Sequence, residues 1–341
     1  MATASLAMRG ASRVAAPTRE RVRAAAAELG YKRTENTSQT LSPPALRIGI
    51  VGGIAVDELL VDPFQVTVIV GLVEALEQAR AVPVFLPPAD DARHVALMSR
   101  VDLDGVVLVH SPDASGSAWA AMSRRALPIV CLEAPREGPV PGIQWRDEDA
   151  MRHLCDRILR NGHTEAVVVT LPFGGQYRRH GFVPIPDPAR IASSAVRQRL
   201  EAVFGSGLTV SRVYESERSA MDEGERAGIA IASLSEPPTV VVCQSDVLAA
   251  GVIMGLEREG LQVPLDVSVT GFDGLDLPLI APRRVTTVVQ DGLEKGRRAA
   301  AQLLRQIAGD APVPDDMTLT LREGTTLGPA RGFRREEGEP R

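Results

Sequence analysis

From residue 46 onward the chain alternates short runs of Val, Ile and Leu with segments whose apolar residues recur at helical spacing, and this alternation limits the fold more than any other feature. The runs are "LRIGIV", "VPVFL", "DGVVLVH", "LPIVCL", "EAVVVTL", "LTVSRVY", "PTVVVC" and "VSVTGF". Helical segments separate them: over "VIVGLVEALEQA", near 91–100, near 117–126, over "DAMRHLCDRIL", near 195–204, near 223–234 and over "DVLAAGVIMGLEREG". An apolar run without polar alternation is a strand buried on both faces, so the pattern implies parallel sheets with helices on either side. So long an α/β pattern exceeds one ordinary domain and predicts two doubly wound lobes. The stretch 172–194, rich in Gly, Pro and Arg, breaks the rhythm and reads as either a binding loop or a disordered connection.

The first 46 residues differ in kind. Val22, Ala25, Ala26 and Leu29 recur at helical spacing, Pro17 suits a first turn and Gly30 a stop, and the short segment "TASLAM" precedes them as a second helix. "KRTENTSQTLSPPA" then has the composition of a linker. Residues 1–47 hold eight basic and three acidic groups on a chain whose formal net charge is −5, so the remainder carries −10. A basic head on an acidic body fits a nucleic-acid-binding arm; a solvated helix face in an arginine-rich protein fits as well. No apolar run approaches a membrane span and no apolar signal core opens the chain, which predicts a cytoplasmic protein with no membrane contact. Cys131, Cys155 and Cys243 are far apart, each inside an apolar run, and read as core residues rather than disulfide or zinc ligands.

The segments "TASLAMRG" and "RVAAPTRERVRAAAAELGY", with "LPIVCLE", "LRNGHTEAVVV", "RQRLEAV", "PTVVVCQSDVLAAGVIMGLEREGLQVPLDVSVTGFDG", "VTTVVQDGLEKGRRAAAQLL" and "LREGTTLGPA", resemble the LacI/GalR family of bacterial transcription regulators. The resemblance covers nearly the whole chain and is most specific over 238–304. It implies two lobes of periplasmic-binding-protein type behind a small all-helical DNA-binding remnant. Residues 1–46 would form a partial helix-turn-helix head and hinge, 47–164 with 290–316 the N-terminal lobe, and 165–289 with 317–341 the C-terminal lobe. The chain would cross between lobes near 165, 290 and 317. Operator DNA, a small-molecule effector and a second copy of the chain are the implied partners, sugars being the commonest effectors of the family. No cofactor and no metal ion are implied.

Members of the family carry a helix and a turn ahead of the recognition helix, roughly twenty residues that hold it in the major groove. Here the recognition helix stands at the first residues. Either the start codon lies upstream, or the chain is a small-molecule sensor that has lost specific DNA binding. The resemblance makes Thr3, Ser5, Leu6, Arg9 and Leu41 the DNA-contacting candidates, with hydroxyls for phosphates at Thr3 and Ser5 and weak or apolar base readout at Leu6. Arg33 and Thr34 replace the usual Pro-Asn of the hinge, and Leu41 falls one residue late, so the hinge helix is expected to form poorly.

For the effector the resemblance implies Phe64, Asp149, Arg199, Ser245, Asp273 and Gln290, in the crevice at the carboxyl ends of the strands. Arg199 would offer paired donors to vicinal hydroxyls or a carboxylate, or else is a surface helix arginine. Asp273 would accept from ligand hydroxyls, Gln290 would sit at the second crossing, and Phe64 would offer a ring face. Asp147 and Asp149 are each either ligand contacts or helix caps, and Asp246 has the same two readings. No catalytic residue emerges: "GIVGG" lacks the dinucleotide spacing, no Gly-x-Ser-x-Gly elbow occurs, and the five histidines show no metal-ligand spacing. His163 in "NGH" reads as structural. The expectation is a regulator of the repressor kind, not an enzyme.

Overall fold

A computed structural model of the chain divides it into two units, Met1–Pro44 and Ala45–Arg341. It describes residues 45–333 apart from 54–55, 89–91, 110–119, 121, 133–141, 146, 175–179 and 314, and in the first unit only Glu20, Arg21 and Ala25. The DNA-contacting candidates Thr3, Ser5, Leu6, Arg9 and Leu41 therefore lie outside the described residues.

The second unit holds two sheets. The first, of six strands, contains β1 (Arg47–Gly52), β2 (Val82–Leu86), β3 (Gly105–Val109), β4 (Ile129–Leu132), β5 (Gly142–Trp145) and β12 (Asp315–Met317) in the order β12-β5-β4-β3-β1-β2, all parallel. The second contains β6 (Glu165–Thr170), β7 (Gly181–Val183), β8 (Thr209–Glu215), β9 (Val240–Cys243), β10 (Ser268–Asp273), β11 (Thr286–Val289) and β13 (Thr320–Arg322) in the order β13-β11-β10-β9-β6-β8-β7. Its five inner strands are parallel and both edges antiparallel. With the edge strands β7, β12 and β13 left out, the five remaining strands of each sheet run second-first-third-fourth-fifth in chain order, which places a topological switch point between β1 and β3 and another between β6 and β9.

Alternate residues of one strand serve opposite cores, which is why these runs are apolar throughout. Val107 and Val109 of β3 join one cluster while Val106 and Leu108 join another, and β6 does the same with Ala166 and Val168 against Val167 and Val169. The three cysteines form no disulfide with one another and are buried in these cores.

Helices cover the sheets: α1 (Val56–Val61), α2 (Pro63–Gln78), α3 (Ala92–Met98), α4 (Asp147–Arg160), α5 (Ser194–Phe204), α6 (Met221–Ala232), α7 (Asp246–Arg258) and α8 (Gly292–Ile307). Asp62 caps α2, its Oδ1 accepting from Phe64 N at 2.9 Å, and Pro63 occupies the first turn, where its missing N–H costs nothing. Each lobe owns one helix pair in backbone contact. A Cβ on Gly71 would overlap the Leu293 carbonyl, and one on Gly251 would overlap the Met221 carbonyl, so α2 closes on α8 and α6 on α7 only because these positions lack a side chain.

The chain crosses between sheets three times. β11 of the second sheet leads into α8, which packs on β3, β4 and β5 of the first, and β12 of the first leads directly to β13 of the second. At the first crossing, expected near 165, α4 already packs on α5, β11 and β13 of the second lobe. The stretch 172–194 also differs from the expected loop: it adds β7 as an edge strand on β8, where Phe182 meets Tyr214 edge to face with ring centroids 5.4 Å apart.

Candidate functional site

Arg199, on α5, reaches the carboxyl ends of the second sheet's strands. It is 3 % exposed and fully engaged with protein. Its Nε donates to Asp147 Oδ2 at 2.8 Å and its Nη1 to the Gln244 carbonyl at 2.9 Å, while the guanidinium carbon stands 3.6 Å over the Phe272 ring. One side chain thus ties α5 to the first residue of α4 and to the ends of β9 and β10.

Asp273 ends β10 one residue later, at φ +118, a backbone region that non-glycine residues adopt only under restraint. Gly274 follows at φ +80, where its missing Cβ leaves room for Val289. Gln290, just past β11, donates its Nε2 to Asp273 Oδ1 at 2.5 Å and its backbone N–H to the Asp273 carbonyl at 3.3 Å. The segment that crosses back to the first lobe is thereby fastened to Asp273. Burial pushes the Asp273 carboxyl well above the usual range; Arg199 opposes this, while Asp246 and Asp62 add repulsion and Gln290 relieves a little. Asp62 belongs to the first lobe, so the charges acting on Asp273 come from both lobes.

Asp246 opens α7 beneath this row and is fully buried. Its Oδ2 accepts from Leu275 N at 2.7 Å, and a Cβ on Gly271 would overlap its Oδ1. Desolvation is the largest influence and pushes its pKa up to about 7, against hydrogen bonds and the Arg322 charge. The cap of α7 is Ser245, whose Oγ accepts from Leu248 N at 3.3 Å and lies 3.2 Å from Ser219 Oγ.

The sequence-derived candidates divide accordingly. Arg199, Asp273 and Gln290 come together. Phe64 lies on the first lobe, buried, with Lys295 Nζ 5.6 Å from its ring centroid and Gly292 packed beside it, two residues beyond Gln290. Ser245 is spent on capping. Asp149 points elsewhere, pairing with Arg152 at 2.7 Å on the half-exposed face of α4, because it lies two residues along the helix from Asp147, which the helix start turns inward. His163 is held at both ring nitrogens, by Thr239 Oγ1 at 2.9 Å and the Gly328 carbonyl at 3.0 Å, and burial lowers its pKa.

Sequence reasoning missed three members of this neighbourhood. Gln244 and Phe272 carried no signal beyond standing at strand ends. Lys295 carried one: it is the single lysine after residue 32, and it is buried. Among the described residues no group of three His, Cys, Asp or Glu side chains is arranged to hold a metal ion.

Residues 155–326 match the family model of the periplasmic binding protein-like domain. An HTH-type transcriptional regulator of Mycolicibacterium smegmatis is 29 % identical over 330 residues, covering 93 % of this chain and 90 % of that protein. Among solved structures, a LacI-family transcriptional regulator from Corynebacterium glutamicum superposes with TM-score 0.74 at 22 % identity, covering 96 % of this chain and 95 % of that one. The lac repressor dimer bound to operator and the anti-inducer ONPF does so with TM-score 0.69 at 20 % identity and the same coverage. With its paired second-first-third-fourth-fifth sheets, three crossings and matched domain, the chain belongs to the LacI family of transcription regulators, built on a periplasmic-binding-protein-like body.

Proposed function

We propose that this chain is an effector-responsive transcription regulator that acts as a homodimer on operator DNA in the cytoplasm, with its effector seated between Asp273, Gln290 and the Arg199–Asp147 pair on one lobe and Phe64 on the other. Its relatives are transcription regulators, which speaks against catalysis, and a structural neighbour is a repressor dimer on its operator. The observation that carries the reading is the Asp273–Gln290 hydrogen bond. A ligand that engages Asp273 touches the segment running from β11 into α8, and so discriminates between lobe arrangements that differ at that crossing. Such a difference in affinity is what shifts a population of closed and open states, and with it the spacing of two DNA-binding heads.

The test is a binding titration of the chain on the promoter region beside its own gene at near-physiological salt, with sedimentation at micromolar concentration in parallel. A dimer that prefers one two-fold symmetric site over scrambled DNA by about 10³-fold or more supports the reading. A monomer, or binding indifferent to sequence both for this chain and for a version extended by any in-frame upstream helix and turn, would overturn it.

A further inference from the structure

We infer that the effector of this crevice carries a positively charged amine, received by Asp273 and the Gln290 side-chain oxygen with Asp62 facing them from the other lobe. The inference rests on the effector reading above and adds the chemical class of the ligand.

The first argument is the balance of donors and acceptors. Gln290 and Asp273 are 4 % and 6 % exposed. Their contact uses Gln290 Nε2, and Oε1 of the same amide is buried with no partner. The Asp147 oxygen not used by Arg199 is likewise buried and unpartnered, and so is Asp246 Oδ1. A buried acceptor without a donor costs about 1–3 kcal/mol in a folded protein, so such groups mark where a partner binds. Gln290 Oε1 is an amide oxygen that accepts and cannot donate, so the partner it lacks is a donor.

Charge is the second, independent argument. Arg199 is the cation that acts most strongly on Asp273, and it is already committed to Asp147, the Gln244 carbonyl and the Phe272 ring. Against it stand Asp246 from α7 and Asp62 from the cap of α2. Lys295, the other buried cation nearby, lies over Phe64 on α8. A carboxylate or phosphate ligand would bring another negative charge beside Asp246 and Asp62, and a neutral polyol would answer the hydrogen bonds without offsetting the repulsion that raises the Asp273 carboxyl. An ammonium group answers both, through the stronger charge-assisted bond. It also permits Asp273 to ionise, so binding releases a proton and affinity rises with pH while Arg199, Asp246, Asp62 and Gln290 keep their places around it.

The experiment is calorimetry of the full chain with three six-carbon chains matched except for one end: glucamine, whose amine stays protonated near neutrality, sorbitol and gluconate. Glucamine is expected to bind at least about tenfold tighter than sorbitol, with gluconate weakest, and to gain affinity as pH rises. Asp273→Asn, which preserves shape and the Gln290 contact, is expected to abolish the preference while melting at or above the wild-type temperature. Asp62→Asn, which keeps a capping side chain, is expected to halve or further reduce it. Sorbitol or gluconate binding as tightly as glucamine, no glucamine binding at millimolar concentration, or a preference that survives Asp273→Asn would overturn the inference. If sorbitol bound and Asp273→Asn abolished that binding, the amine would be wrong and the effector reading intact. Operator binding that no small molecule alters and that Asp273→Asn leaves unchanged would count against the effector reading itself.

Discussion

The two lobes are built on one strand order yet are used differently. In the first sheet β1, β2, β3 and β4 end on Gly52, Leu86, Val109 and Leu132, all apolar or featureless, and the lobe's residues proposed for the crevice, Asp62 and Phe64, come from the start of a helix. In the second the corresponding ends carry or adjoin Glu215, Gln244, Asp273 and Gln290, all buried, with Asp246 beneath and Arg199 across them. A shared scaffold therefore leaves the two lobes alike in strand order, and the residues at strand ends make the second lobe the one that carries buried charge. The second lobe accepts the cost of burying these three carboxylates and a guanidinium, and that cost makes it the more fragile half under mutation.

The widest separation between the lobes is expected in their ion pairs. Arg199→Ala strands Asp147 without its partner in a site neither residue exposes, and should lower unfolding free energy by about 3–5 kcal/mol in urea denaturation. A loss below about 1 kcal/mol would mean that water reaches the pair and that the burial contrast between lobes is false.

The glycine helix pairs are next, and here the lobes should behave alike. Gly71→Val and Gly251→Val each force a helix away from a backbone it touches, at about 1–3 kcal/mol or more apiece. Two separate transitions in either variant would show that one lobe can unfold without the other.

A further effect, confined to the second lobe, is pH dependence. Asp246 has its pKa raised from 3.8 to about 7, so between those values the folded chain holds a proton that the unfolded chain has released. Its contribution to stability is intact in acid and is lost as pH rises toward neutrality, with a slope approaching 2.303RT, about 1.4 kcal/mol per pH unit. Asp246→Asn should flatten that part of the melting-temperature profile. An unchanged profile would show that Asp246 is ionised throughout.

The smallest change is expected at the first lobe's Arg47–Asp102 pair, 2.5 Å apart with both side chains at least half exposed. Arg47→Ala should cost under about 1 kcal/mol and lose even that in high salt. A larger cost would draw the lobes closer together in kind.

Much of this molecule was legible because its signals are local. A strand covered on both faces must be apolar at every position, so "GVVLV" and "AVVV" declare β3 and β6 without reference to anything distant, and the alternation with helices implies the parallel sheets. The motif around Asp273 and Gln290 was legible through family resemblance over a contiguous stretch, and these two residues do meet. The first crossing was not legible. The amphipathic face of α4 looks the same whichever sheet it covers, and only its packing on α5, β11 and β13 assigns it to the second lobe.

Partnership was the other thing hidden. From the sequence, Arg199 offers a free guanidinium, and Asp147 and Asp149 are interchangeable acids near a helix start. The fold joins residues 52 positions apart, Arg199 to Asp147, and leaves Asp149 to an exposed neighbour. The sequence by itself determined the elements, the two-lobed class and the family, because these follow from periodicity and contiguous motifs. Only the tertiary structure decided which charges are already paired, which acceptors are left without donors and which lobe carries them. Burial and proximity between distant residues set the energy of a charge, and neither is a property of any short stretch of chain.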